Sequence, residues 1–214
     1  MTLIDLSHVV EAGMQTYPGL PGPVICDFLS REASRSKYAP GTEFQIGKIE
    51  LVANTGTYVD SPFHRYADGT DLAGLRLEQL AHLDTVVISS KASAIGPEAF
   101  QGLELRGKAV LVHTGWSRHF RTPEYFTGHP HLTGAAAELL ARAGATFVGI
   151  DSLNIDGTAD GSRPVHSTLL AAGIPIGEHF TNLGALPARG ARLHAAPVKV
   201  KAIGTFPVRA YAIV

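Results

Sequence analysis

Apolar positions fall into short clusters divided by glycine- and proline-rich breaks, so the chain is built from many small elements rather than a few long ones. The opening TLIDLSHVV is leucine-rich and β-branched and reads as a strand, and MQTYPGLPGP after it holds three prolines and must be loop. In TEFQIGKIELVA, residues 42–53, Phe44 and Ile46 alternate with polar neighbours, as do Ile49 and Leu51, with Gly47 breaking the period; this predicts a strand pair or one bulged strand. In ADGTDLAGLRLEQLAHL, Asp71 is a cap candidate ahead of leucines near helical spacing, so a helix is expected there, followed by a strand at TVVIS.

The downstream pattern repeats this alternation. GPEAFQGL reads as a short capped helix, KAVLVHTGW as a strand, and TGAAAELLARAGATFVGID as a helix ending at Gly144 before a buried strand. HSTLLAAGI reads as a helix, IGEHFTNL leads out of a short strand, and APVKVKAIGTFPVRAYAIV alternates like a terminal hairpin. Helices and strands in this irregular order predict an α/β fold: a mixed, largely antiparallel sheet with flanking helices. No repeat or linker divides the 214 residues, so a single domain over 1–214 is expected.

Composition narrows the function classes. Net charge is -1, and no Lys/Arg run forms a stripe able to neutralise many phosphates, which argues against nucleic acid. No apolar stretch approaches the roughly 20 residues that span a bilayer. The only cysteine, Cys26, has no partner for an intrachain disulfide, and MTLIDLSHVV lacks a basic and apolar leader pattern, so a cytoplasmic protein is expected.

The chemistry concentrates in NTGTYVDSPFH, residues 54–64. Asp60 and His64 are four apart, but Pro62 between them disfavours a helix, so a loop is expected to orient them. Such a pair is either a turn cap with a satisfied imidazole or part of a metal site. His166 and Glu178, in HSTLLAAGIPIGE, would complete a three-ligand set with Asp60, leaving a position open for carbonyl polarisation or water activation. His64 is then free as proton carrier, since an imidazole takes up and returns a proton near neutral pH.

The motif resembles the signature HxGTHxDxPxH of the cyclase family, which includes bacterial kynurenine formamidase and isatin hydrolase. TYPG, HTGWSRHF, PEYFTGHPHLT, VGIDSLNID and the stretch from His166 to TNL resemble further family landmarks, so the likeness covers nearly the whole chain. It implies a swivelling β/β/α fold, a homodimer or homotetramer in which a neighbour closes the pocket, and metal-dependent hydrolysis of a small amide, formamide, lactam or ester. Position by position, two signature histidines are replaced here by Asn54 and Tyr58. An amide and a phenol are poor metal ligands, so one of the family's two metal positions is expected to be lost.

The surviving set is Asp60, His166 and Glu178 for one divalent metal, with His64 as proton carrier. Two carboxylates to one imidazole suit zinc or manganese, or iron, and loss of the neighbouring cation leaves no metal at all as the other outcome. Asn54 and Tyr58 are either oxyanion donors or an ordinary buried amide and phenol. Tyr17, Phe63 and Trp116 are the substrate-binding candidates; Phe120, like Trp116, either closes the pocket or packs.

His113 reads as a satisfied core residue and His119, His129 and His131 as solvated loop residues. His179 is expected to face away from Glu178, and Asp151 to cap a turn or support a ligand. Two other functions remain open: a metal-free or single-metal cyclase or lyase using Tyr58 and His64 as acid and base, and a non-catalytic protein that binds a small molecule.

Overall fold

The computed structural model describes residues 1–214. Its strands are β1 (Leu3–Asp5), β2 (Val24–Leu29), β3 (Ile46–Glu50), β4 (Tyr58–Asp60), β5 (Leu83–Ser89), β6 (Ala94–Ile95), β7 (Ala109–His113), β8 (His131–Leu132), β9 (Phe147–Ile150), β10 (Ile176–Glu178), β11 (Arg189–His194), β12 (Thr205–Pro207) and β13 (Tyr211–Ile213). The α-helices are α1 (Arg31–Ser34), α2 (Gly134–Ala143) and α3 (Pro164–Ala171). Nine strands form one sheet in the order β1-β13-β11-β5-β7-β9-β10-β4-β12. Its central ladders, β5 to β7 to β9 to β10, are parallel, and the five flanking ladders are antiparallel. This is the mixed, largely antiparallel α/β sheet expected from the sequence.

The connection between β12 and β13 dictates the sheet's shape. The two strands stand seven positions apart in the sheet order, which in a flat sheet would separate them by roughly 34 Å at about 4.8 Å per strand. Only residues 208–210 join them, and four Cα steps span at most about 15 Å. The sheet must therefore curl until its two ends approach. Val59, Leu111, Phe147, Leu193 and Ala212, drawn from both ends and the middle, accordingly share one buried cluster inside the curl.

The other face is covered by α2 and α3, whose Ala136, Leu140, Val165 and Leu169 pack on Val110, Val112, Val148 and Ile150. Thr133 starts α2 by accepting a hydrogen bond from the Ala136 amide (3.2 Å), and the helix ends at Gly144, φ 77°, the end expected from the sequence. Gly149 and Gly177 face one another across β9 and β10, and the Phe180 ring lies over both. A Cβ on Gly177 would fall 2.4 Å from that ring. No helix is long and apolar enough to cross a membrane.

Three expectations fail. The helix expected after Asp71 within residues 67–83 is reduced to a 3-10 turn at Leu77–Gln79, because the Asp71 carboxylate closes a turn on the Gly74 amide (2.9 Å) and ties down the Ala202 amide (2.7 Å). The terminal hairpin does not form, since β12 pairs with β4 while β13 pairs with β1 and β11. The 42–53 segment contributes one strand, β3, and its partner is β2, a strand not anticipated from the sequence; the bulge between Asp27 and Leu29 lies on β2.

Candidate active site

The signature segment is a buried strand followed by a turn rather than a loop: β4 carries Tyr58 and Asp60, and Pro62–His64 forms a 3-10 turn with Pro62 at its start. Strand geometry sends Tyr58 and Asp60 to one face and Val59 to the other, into the curl. The neighbouring strands then supply partners by register. β10 sets Glu178 opposite Tyr58, and β12 sets Thr205 opposite Asp60.

His166 arrives from α3. Asp156 accepts hydrogen bonds from the amides of Val165 (2.7 Å) and His166 (2.9 Å), capping the helix from outside, and from His166 Nδ1 (2.7 Å). With Nδ1 held in this way, Nε2 faces Asp60 Oδ2 at 3.6 Å and Glu178 Oε1 at 3.7 Å. Asp60, His166 and Glu178 are thus brought together, all buried.

Glu178 accepts from the Tyr58 hydroxyl at Oε2 (2.6 Å) and from the Ile155 amide at Oε1 (2.6 Å). Asp60 Oδ1 accepts from the Thr205 hydroxyl, which also contacts His64 Nδ1 (2.8 Å). Asp60 Oδ2 is buried with no hydrogen-bond partner. Ligand atoms of Asp60, His64 and His166 all lie within 4.8 Å of one another.

Three carboxylates around one imidazole create a demand for positive charge. Burial works to lower the His166 pKa, but Glu178, Asp156 and Asp60 outweigh it and carry the ring up to about 10. Burial raises Glu178 to about 7 against the opposing His166 charge. Asp60 is pushed up by burial but net lowered, because the facing His166 ring, the His64 charge and the Thr205 hydrogen bond prevail. The orphaned Asp60 Oδ2 facing His166 Nε2 is a donor arrangement that suits a divalent ion.

A cavity of about 600 Å³ is lined by Tyr17, Asn54, Tyr58, His64, His166 and Glu178 among others, with Asp60 buried behind its wall. Phe63 and Trp116 are not among its lining residues. The Trp116 indole N–H instead donates to the Tyr125 carbonyl (3.1 Å) and packs its own loop. Arg65 and Arg163 also line the cavity. Neither has a carboxylate partner, and Arg163 is held by the carbonyls of Gly157, Asp160 and Ser162.

Asn54 and Tyr58 belong to the Glu178 network. Burial, followed by the Glu178 and Asp60 charges, pushes the Tyr58 phenol well above its usual range, with a bond from Asn54 working the other way. Among the remaining histidines, His129 is buried, against expectation, because its Nε2 bonds the Asp156 carbonyl (3.0 Å). His113 is only half-buried, with Nδ1 3.4 Å from the Ser89 hydroxyl. His179 points away from the cavity and bonds the Tyr125 hydroxyl through Nδ1 (2.8 Å). Asp151 is a cap, accepting from the amides of Thr114 (2.7 Å) and Gly115 (2.9 Å).

Sequence reasoning missed Asp156, Thr205 and the two arginines. Asp156 had a signal, a carboxylate ten residues ahead of a helical histidine in VGIDSLNID. Thr205 had none without knowledge of strand pairing.

The Cyclase family model matches residues 4–157. Kynurenine formamidase of Bacillus cereus is 29% identical over 177 residues, covering 82% of this chain and 80% of its own. Isatin hydrolase A from Labrenzia aggregata, solved with benzyl benzoate, superposes with a TM-score of 0.84 at 22% identity, covering 100% of this chain and 93% of its own. A structure described as a potential metal-dependent hydrolase with cyclase activity matches at 0.80 and 23%, covering 99% and 96%. These two structural likenesses concern the fold.

Proposed function

The chain belongs to the cyclase family, and from that premise we propose that it is a metal-dependent hydrolase of small amides, with one metal position kept. The observation that carries this reading is the buried, unpartnered Asp60 Oδ2 set 3.6 Å from His166 Nε2 beneath an open cavity. Asp60, His166 and Glu178 would hold the ion, zinc or manganese by their donor set, with iron next. A divalent ion there supplies Lewis-acid polarisation of the scissile carbonyl and lowers the pKa of water.

The chain's own groups do the rest. Asp156 keeps the His166 ring oriented by holding Nδ1. His64, at the cavity edge, takes a proton from the attacking water and returns it to the leaving nitrogen. Tyr17 offers an aromatic face for a planar substrate, and Arg65 and Arg163 suit an anionic group on it. An arylformamide of the kind implied by the name kynurenine formamidase combines these features; lactams and esters are the other candidates.

The lyase reading that uses Tyr58 as acid is less favoured, because that hydroxyl donates to Glu178. The binding-only reading leaves the orphaned Asp60 oxygen without a purpose. The same proposal includes a single domain, a cytoplasmic location and a homodimer or homotetramer. The β2–β3 hairpin, with Val24, Phe28 and Ile49 exposed, offers surface for the oligomer contact.

The test is turnover of a panel of arylformamides, lactams and esters by metal-loaded protein and by His64→Ala. Metal-dependent release of formate or acid, reduced at least about a hundredfold in the variant, supports the proposal. Turnover unaffected by either chelation or His64→Ala rejects it.

A further inference from the structure

We infer that Thr205 is a positioning residue: its hydroxyl bridges Asp60 and His64 and holds the His64 imidazole in the tautomer with its proton on Nδ1, leaving Nε2 bare to accept a proton. The hydroxyl oxygen contacts Asp60 Oδ1 and, at 2.8 Å, His64 Nδ1. A threonine hydroxyl has one proton, and an ionised carboxylate can only accept. The proton therefore points to Asp60, and the oxygen must accept from His64. Nδ1 then carries hydrogen, and the ring's acceptor is Nε2.

The surrounding backbone makes this arrangement specific. Thr205 lies directly opposite Asp60 in the β12–β4 ladder and is buried. The preceding residue, Gly204, accepts a hydrogen bond from the Ser61 amide through its carbonyl (2.7 Å). A Cβ on Gly204 would fall 2.3 Å from the His64 amide nitrogen and 2.5 Å from its Cα, so only glycine lets β12 approach the turn this closely. The Gly204–Thr205 pair thus clamps the His64 backbone and its ring together. Engagement of Asp60 Oδ1 by Thr205 also leaves Oδ2 as the carboxylate's unpartnered oxygen.

Use of the bare Nε2 as a base rests on the hydrolase reading, whereas the tautomer itself does not. The experiment is long-range proton–nitrogen correlation NMR on full-length chain labelled with 15N-histidine, without added metal, at a pH where the ring is neutral. His64→Gln identifies the His64 signals among the 10 histidines. The expected wild-type spectrum shows a protonated Nδ1 and a bare Nε2. Thr205→Val moves the proton to Nε2 in most molecules, and Thr205→Ser restores the wild-type pattern.

A wild-type His64 with its proton on Nε2, or a Thr205→Val tautomer identical to wild type, overturns the inference. If Thr205→Val does not fold, the wild-type and Thr205→Ser spectra still decide it. With any substrate the protein hydrolyses, Thr205→Val lowers kcat at least about tenfold with little change in KM, and Thr205→Ser recovers most of the loss. Absence of turnover in the wild type counts against the hydrolase reading and leaves the tautomer result to stand on its own.

Discussion

Tyr58 donates its phenolic hydrogen bond to Glu178 across the β4–β10 ladder at 2.6 Å, and both side chains are buried. A residue that fills a family histidine position has become part of the support for a carboxylate. Tyr58→Phe removes that donor and leaves Glu178 Oε2 short of a partner in a buried site. The expected cost is about 1–3 kcal/mol of stability, read as a lower midpoint in urea denaturation. Hydrolytic turnover should survive in the folded variant. Complete loss of turnover at unchanged stability would instead assign Tyr58 a direct chemical role.

Asp156 anchors His166 by one side-chain and one backbone bond to the same oxygen. Asp156→Asn keeps the shape but removes the charge and lets the amide present the wrong group to Nδ1. Metal affinity, measured by competition with a chromophoric chelator, should fall about 10- to 100-fold. An unchanged affinity would mean that the ring is held by packing alone.

His8 gives a pH dependence away from the metal cluster. Its ring stacks on Phe120 with centroids 3.7 Å apart, and burial pushes its pKa down from 6.5 to about 4. As pH falls, the unfolded chain takes up this proton first. The associated stability is therefore fully present above pH 6.5 and is lost progressively as pH falls toward 4. The loss is at most about 3 kcal/mol, less to the extent that solvent screens the ring. His8→Phe keeps the stack and removes the titration, so its stability should fall less steeply between those pH values. Parallel curves for the two proteins would refute this.

Local chemistry was legible in the sequence where neighbours in the chain are neighbours in space. Asp60 and His64, and Gly144 as the end of α2, follow from short-range rules. His166 and Glu178 could be offered from their chemistry only as candidates to complete the ligand set, which the family likeness then favoured, since more than a hundred residues separate them from Asp60; the register of β10 on β4 brings Glu178 close, and α3, anchored by Asp156, brings His166. Thr205 escaped because alternation tells which face a residue occupies but not which strand it pairs with. The same gap turned two strands at opposite ends of the sheet into an imagined hairpin. The leucines of residues 67–83 misled for another reason: Asp71 satisfies the Gly74 and Ala202 amides, and that tertiary link overrides a weak helical preference.

The measurement closest to the central claim is metal content per chain by inductively coupled plasma mass spectrometry, on protein offered zinc or manganese and then desalted, beside Asp60→Asn. The expected result is about one metal per wild-type chain and almost none in the variant, as a single site built on the Asp60 oxygen requires. No metal in the wild type, or a full complement that persists in Asp60→Asn, would refute a retained metal position at Asp60, His166 and Glu178.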